Sequence, residues 1–275
     1  MKMLGLVTLY HSKKEEALNN IEQYAPYIDQ LIVWDNSPIC HKEWFDINTI
    51  VYHWTGENKG IAPAMNYAWH YAEERGYYSF LVMDEDSRWE DFPEYRKAVE
   101  TLFCQGQLDV FTPYIKGIDT FKTETEEYEK RLFINSGMVM PIEIFRAIGG
   151  ADENAFPLDA LDHDIALSII EHGYRALCLT KHQLNHSLGQ PQLMGPFHLF
   201  TPNYDRHRTY SMTRSHIICY RKHWKMMTEE DRDYLFNEII RRKFFRIILA
   251  EPDKIGRLKA LVQGIISGYR YKIRN

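Results

Sequence analysis

Short, nearly continuous apolar runs alternate with stretches of helical period through the first third of the chain. Residues 4–9, 30–34, 50–54 and 78–83 are such runs, long enough for buried strands and too short for buried helices. Between the first two, Ser12 and Glu15 have the spacing of a capping box and predict a helix reaching about Tyr24. Asp35-Asn36-Ser37-Pro38 closes the second run with turn chemistry. Ala62, Met65, Ala68, Trp69 and Ala72 predict a second helix to Arg75, stopped by Gly76. This strand–helix–strand–strand–helix–strand order predicts an α/β fold, a Rossmann-like, mainly parallel open sheet flanked by helices. Ligands of such sheets bind beyond the carboxyl ends of the strands. Thr8, Asp35 and Asp84 to Asp86 all fall at those ends.

Further strands are predicted over 109–116 and 132–140, and a helix from Leu161 to Gly173. Past about 205 the pattern is helical, which divides the chain into a sheet-bearing body, 1–204, and a helical C-terminal region, 205–275. Charge follows the same division. Arg241 to Asn275 carries ten Lys and Arg against two Asp and Glu, a balance of +8, and the remainder carries −13. Ile239, Ile240, Phe244, Ile247 and Ile248, then Ile255, Leu258, Leu261, Val262, Ile265 and Ile266, sit at helical spacing with basic residues between. Such basic amphipathic helices suit an anionic membrane surface, here through 239–275. Packing on the catalytic body or on a second subunit would use the same pattern.

At 275 residues, 45% of them apolar, the chain can bury one large α/β domain and an appendage. Cys40, Cys104, Cys178 and Cys219 form no CxxC pair, which excludes a zinc knuckle or disulfide scaffold and suits a reducing compartment. The chain starts directly on a strand-like segment without a leader pattern, and no apolar stretch is long enough to span a bilayer. The expected location is cytoplasmic, peripheral on the inner face of the cell membrane. No nucleic-acid partner is expected, and the oligomeric state is not legible.

Asp84-Glu85-Asp86 follows the fourth run directly, so three carboxylates leave the core together. They repel one another unless a cation neutralises them, and hard divalent ions take carboxylate oxygen while keeping positions open for phosphate. A solvated acidic turn has the same composition; emergence from a buried strand favours a ligand site. Glu85 is left without a role, its side chain expected to face away.

Asp84-x-Asp86, the Asp35-Asn36-Ser37 turn, the element from Asn58 through Gly60 to Asn66, the stretches 133–137 and 156–164, and Asn185-His186-Ser187-Leu188-Gly189 occur in an order that resembles the GT-A glycosyltransferases of family 2. The likeness covers roughly residues 4–220 and is greatest to the rhamnosyltransferase-like and galactofuranosyltransferase-like bacterial members. It implies a nucleotide-sugar donor held by Thr8, Asp35, Asn58, Gly60, Asn66 and Asp84, with Arg208 and Arg214 available to pair with the diphosphate. It implies a divalent metal, Mn²⁺ or Mg²⁺, on Asp84 and Asp86, which His186 can complete; a lone His is also often only structural. Asp162 matches the general base of the family, at a helix start where the dipole favours its ionised form and where a plain capping Asp would also stand. Asp159 and Asp164 are rival bases and acceptor-binding candidates. Pro157, Asp164, Ser211 and Ser215 depart from the residues usual in the family.

The implied activity is inverting, metal-dependent transfer from a UDP- or dTDP-sugar to a hydroxyl of a glycan or lipid-linked glycan, in polysaccharide biosynthesis. Rhamnose, galactofuranose, glucose and galactose all remain open. Two other classes compete. A phosphotransferase of the haloacid-dehalogenase kind would use Asp84 as nucleophile, although its motif belongs on a first strand and here three strands precede it. A nucleotide-sugar-binding protein without catalysis would keep the donor elements only.

Overall fold

The protein is described as a computed structural model covering residues 1–119, 125–186 and 192–273. Its first half alternates as the apolar runs require: β1 (Met3–Leu9), α1 (Lys14–Ile21), β2 (Gln30–Asp35), β3 (Ile50–Trp54), α2 (Ala62–Glu74) and β4 (Ser79–Asp84). Then follow β5 (Arg88–Trp89), α3 (Phe92–Cys104), β6 (Val110–Lys116), β7 (Glu127–Glu129), β8 (Val139–Pro141), α4 (Ile142–Ala147), α5 (Leu161–Glu171) and β9 (Ala176–Asn185). A hairpin, β10 (Gln192–Met194) and β11 (Leu199–Thr201), leads into α6 (Arg206–Lys222) and α7 (Glu229–Phe236). One π turn, Asn237–Arg242, joins these to α8 (Lys243–Leu249) and α9 (Lys254–Arg270).

The sheet runs β3-β2-β1-β4-β8-β6-β9-β5, with β7 on the flank of β9. β3, β2, β1 and β4 are mutually parallel. β8 is antiparallel to both β4 and β6, and β9 is parallel to β6. Two reversals through β8 restore direction, so β1, β2, β3, β4, β6 and β9 all end on one edge. Both faces are covered, which explains the unbroken apolar runs. Leu4, Leu6, Phe80 and Val82 meet α2 and α5 on one side; Val7, Leu9, Leu81 and Met83 pack toward α1 and α3 on the other.

Three elements depart from the sequence reading. The Ser12 capping box does not form: α1 starts without a side-chain cap, because Ser12 Oγ is 3.1 Å from Glu85 Oε1 and accepts from Tyr10 N–H. The predicted strand over 132–140 is a strand only at Val139–Pro141. Before it the chain turns at Asn135-Ser136-Gly137, where Gly137 takes a φ of +82° and Val82 O accepts from its N–H at 2.8 Å. A Cβ there would lie 2.6 Å from Pro113 Cγ, so both dihedral and space call for glycine. Finally, β9 is ten residues long and was not read, since Thr180-Lys181-His182-Gln183 interrupts its apolar run where the pairing with β6 shifts register.

The 205–275 region is helical over its described residues and half buried. Ile239, Ile247 and Leu261 pack inward, whereas Phe244, Ile255, Val262 and Ile266 are exposed. Gly264 and Gly268 let α9 lie directly on α6: a Cβ at either would come within 3 Å of Thr213, Tyr210 O, Ile217 or Arg214 O. No helix among the described residues is long and apolar enough to cross a membrane.

Candidate active site

The carboxyl edge of the sheet gathers residues that are far apart in sequence. Parallel register puts Thr8 beside Asp84, and Leu9 beside Asp35. β9 ends at Asn185 on the same edge and delivers His186, whose Nδ1 stands 3.9 Å from Asp84 Oδ2 and 3.8 Å from Asp86 Oδ1. One ligand atom from each of Asp84, Asp86 and His186 lies within 4.8 Å of the other two. With bonds of about 2.1 Å from oxygen to a small divalent ion, modest side-chain rotation brings all three onto one cation. Two carboxylates and an imidazole also suit manganese or magnesium better than a thiophilic metal. The residues present therefore fit the metal that the sequence implied. Ser187 to Gly189 of the same element lie outside the described residues.

A chain of hydroxyls fixes this cluster. Ser136 Oγ accepts from Asp84 N–H at 3.3 Å and lies 2.7 Å from Ser87 Oγ, which lies 2.8 Å from His186 Nδ1. Ser87 and Ser136 are buried, so their hydroxyls have little choice of partner. Ser136 falls in the 133–137 stretch that the family resemblance covers, whereas Ser87 was not singled out by sequence. The signals available were Ser87 directly after the acidic triplet and the Ser-Gly pair that forces the turn at 136. Glu85, which the sequence left idle, accepts from Tyr10 N–H at 3.2 Å and ties the β1 loop to the β4 loop.

Negative charge is concentrated here. Burial pushes the Asp84 carboxyl up to about 6; His186 opposes this, and Asp86 and Asp162 add to it. Burial likewise raises Glu85 to about 7 and pushes Asp86 upward. That Asp162 acts on Asp84 places the first turn of α5 at the same cleft. Asp162 is half-buried, and its Oδ1 accepts from its neighbour His163 N–H at 2.9 Å.

The segment leading into α5 is anchored at Pro157 by the glycine loop before α2. Pro157 O accepts from Ile61 N–H at 2.7 Å and from Ala62 N–H at 3.1 Å. Gly60, at φ +85°, permits this approach: a Cβ would sit 2.0 Å from Pro157 O. Asn58 Oδ1 accepts from Gly60 N–H, and Asn36 Nδ2 donates to Gly60 O at 3.0 Å, so the turn after β2, the glycine loop and the Asp162 segment form one unit. Ala160 enters α5 at φ 61°, a left-handed conformation costing a non-glycine residue on the order of 1 kcal/mol.

The remaining predicted residues divide. Arg208 reaches Asp159 at 2.9 Å, while Asp159 Oδ2 and Arg208 Nε are buried without hydrogen-bond partners among the described residues. Burial raises the Asp159 carboxyl, with Arg208 and Lys243 opposing. Lys243, from α8, is the unforeseen member: it is buried over the Tyr204 ring at 4.9 Å, and burial lowers its pKa to about 8. Asp35 is wholly buried, with Oδ2 accepting from Tyr52 O–H at 2.5 Å and Oδ1 from Ser37 N–H at 2.9 Å. Asn66 bonds Ala151 and Glu153, binding α2 to the loop after α4. Arg214 is directed to the Asn154 and Ala155 carbonyls and the Tyr271 ring. Asp164 is buried against Lys222 Nζ at 2.7 Å and His223 Nε2 at 2.8 Å, which joins α5 to the end of α6.

No protein-family model matches the sequence, and no curated protein matches it. Solved structures do resemble the fold. GalNAc-T7, crystallised with UDP, GalNAc and Mn²⁺, superposes with a TM-score of 0.61 over 91% of this chain and 55% of its own, at 12% identity. TarS of S. aureus, residues 1–349, gives a TM-score of 0.60 over 98% of this chain and 81% of its own, also at 12% identity. The same TarS fragment with UDP-GlcNAc gives 0.58 over 96% and 82%, at 14% identity. The chain thus spans about half of the GalNAc-T7 chain and most of the TarS fragment. At these identities the shared property is the fold: a GT-A sheet, mixed but mostly parallel and flanked by helices, with a helical C-terminal region.

Proposed function

We propose that this chain is an inverting, metal-dependent glycosyltransferase that moves a sugar from a UDP- or dTDP-sugar to a hydroxyl of a glycan or lipid-linked glycan. The observation carrying the proposal is the meeting of Asp84, Asp86 and His186 on the carboxyl edge of a GT-A sheet, with Asp162 near enough to act on Asp84. A divalent cation held by those three residues would supply Lewis-acid stabilisation of the leaving diphosphate. Thr8, next to Asp84, and the loop at Asn58 and Gly60 border the donor. Asp162, half-exposed and without an ion pair among the described residues, takes the proton of the acceptor hydroxyl as it attacks the anomeric carbon.

Acceptor contacts are assigned to Asp159 and to a cavity of about 330 Å³ whose walls include Asp119, Lys130, Phe133, His163, Asp231 and Tyr234. Its walls come from the segment after β6, the segment between β7 and β8, the start of α5 and α7. Aromatic faces beside carboxylates suit a sugar ring and its hydroxyls.

A thermal-shift screen of nucleoside diphosphates and nucleotide sugars, with and without Mn²⁺, tests the proposal. Ligand at about a hundred times its Kd adds roughly 2.7 kcal/mol to apparent stability, so the donor should raise the Tm clearly, and with Mn²⁺ more than without. No shift with any nucleotide in the presence of metal would refute it, and a phosphoenzyme trapped at Asp84 would replace it with phosphotransfer.

A further inference from the structure

α9 carries two opposite faces. Gly256, Ala260, Gly264 and Gly268 recur every fourth residue and form the side laid on α6. Ile255, Lys259, Val262, Ile266 and Tyr269 recur at alternating intervals of four and three, which confines them to an arc of about 80° on the other side. That row is bare: Ile255 is 72% exposed, Val262 52%, Ile266 45% and Tyr269 57%. At about 1.5 Å per residue it runs for roughly 20 Å along the helix. Beside it, Tyr269 and Ile265 also line an apolar cavity of about 190 Å³ with Phe236 and Ile240, which extends the apolar surface toward α7.

Among the described residues, the charge on α9 and at its two ends that is left without an ion pair has one sign. Glu251 is spent on Arg257 at 2.7 Å, and Asp253 on Arg206. Lys254, Lys259, Arg270 and Lys272 are exposed and form no ion pair among the described residues. From these features we infer that the outer face of α9 docks on an anionic lipid surface. Isoleucine, valine and tyrosine enter the boundary between headgroups and acyl chains, and the lysines and arginines beside them meet lipid phosphate. A second copy fits this face poorly, because an antiparallel two-fold contact centred on Val262 would set Arg270 of each copy against Lys254 of the other. Nucleic acid would use the charge and leave the apolar row unexplained.

The test uses the full chain without nucleotide sugar, so its outcome is independent of whether the site transfers sugar. Flotation with mixed phosphatidylglycerol–phosphatidylcholine vesicles is compared with pure phosphatidylcholine. The wild type should float with the anionic vesicles and far less with the neutral ones, and salt should weaken the binding. Val262→Glu/Ile266→Glu and, separately, Lys254→Glu/Lys259→Glu should each weaken it about tenfold or more. All four positions are exposed, and an unchanged Tm checks that each variant is folded. Failure of the wild type to float with anionic vesicles, or wild-type flotation by both variants, would overturn the inference. So would a dimer in sedimentation velocity that Val262→Glu/Ile266→Glu abolishes, since the face would then belong to a second copy.

Discussion

At the cleft edge Asp84, Asp86 and Asp162 carry negative charge with a single imidazole, His186, near two of them; two residues further along α5, Asp164 is buried against Lys222 and His223. Asp84 is partly buried and Asp164 almost wholly so, and only Asp164 has the cations that burial requires directly against it. A carboxylate that serves the fold is paired, because an unpaired one in low dielectric costs several kcal/mol. One that serves a ligand stays short of partners until the ligand arrives, and at the cleft edge burial raises the Asp84 and Asp86 carboxyls. Arg257 and Glu251 repeat the first pattern within the C-terminal region.

The contrast can be broken most decisively at α5. Asp162→Asn should lower transfer roughly 10²–10⁴-fold while donor-induced stabilisation persists. Turnover near wild type in that variant removes Asp162 as the base. Asp164→Asn, two residues away, should instead lower stability by about 3 kcal/mol, because Lys222 and His223 lose their shared carboxylate. Chemical denaturation measures this, and transfer assayed well below the Tm should stay near wild type. Loss of transfer without loss of stability would place Asp164 in the site and erase the contrast.

A smaller effect tests how the C-terminal helices treat a titratable group. His216 is buried, with Nδ1 bonded to Met212 O at 2.8 Å and His163, Lys243 and Arg208 around it; burial, aided by those groups, lowers its pKa to about 3. An unfolded histidine titrates near 6.5. Between about 6.5 and 3 the unfolded chain therefore takes up a proton that the folded one refuses, and stability falls as pH falls through that window. The full slope is about 1.4 kcal/mol per pH unit. His216→Asn should flatten the stability-versus-pH curve there, and an unchanged slope would assign the acid sensitivity to other groups.

Much of this was legible in the chain because it depends on local pattern. Four strands, α2 and the acidic triplet follow from runs and spacings within a few residues of one another, and each lies within a residue of its predicted place. The capping box at Ser12 failed for a reason no local pattern holds: Glu85, in another loop, competes for the same hydroxyl. The strand β9 was hidden because its second half, which pairs with β5, lies at a partly exposed flank, where polar residues are tolerated and the apolar run stops.

The sequence by itself determined which segments must be buried, where the acidic triplet leaves the core and that the tail is basic. Residue type and period answer to solvent and backbone geometry alone. Only the tertiary structure decided that His186, Ser136 and Asp162 come to Asp84, that Asp164 and Asp35 turn inward, and which side of α9 the glycines give to α6. Those outcomes depend on the crossover through β8, which brings β9 back parallel to β4, and on close packing, which leaves each buried polar group only the partners the fold sets beside it. Asp84 and His186 are about a hundred residues apart in the chain and 3.9 Å apart in space, a distance that topology sets and periodicity does not encode.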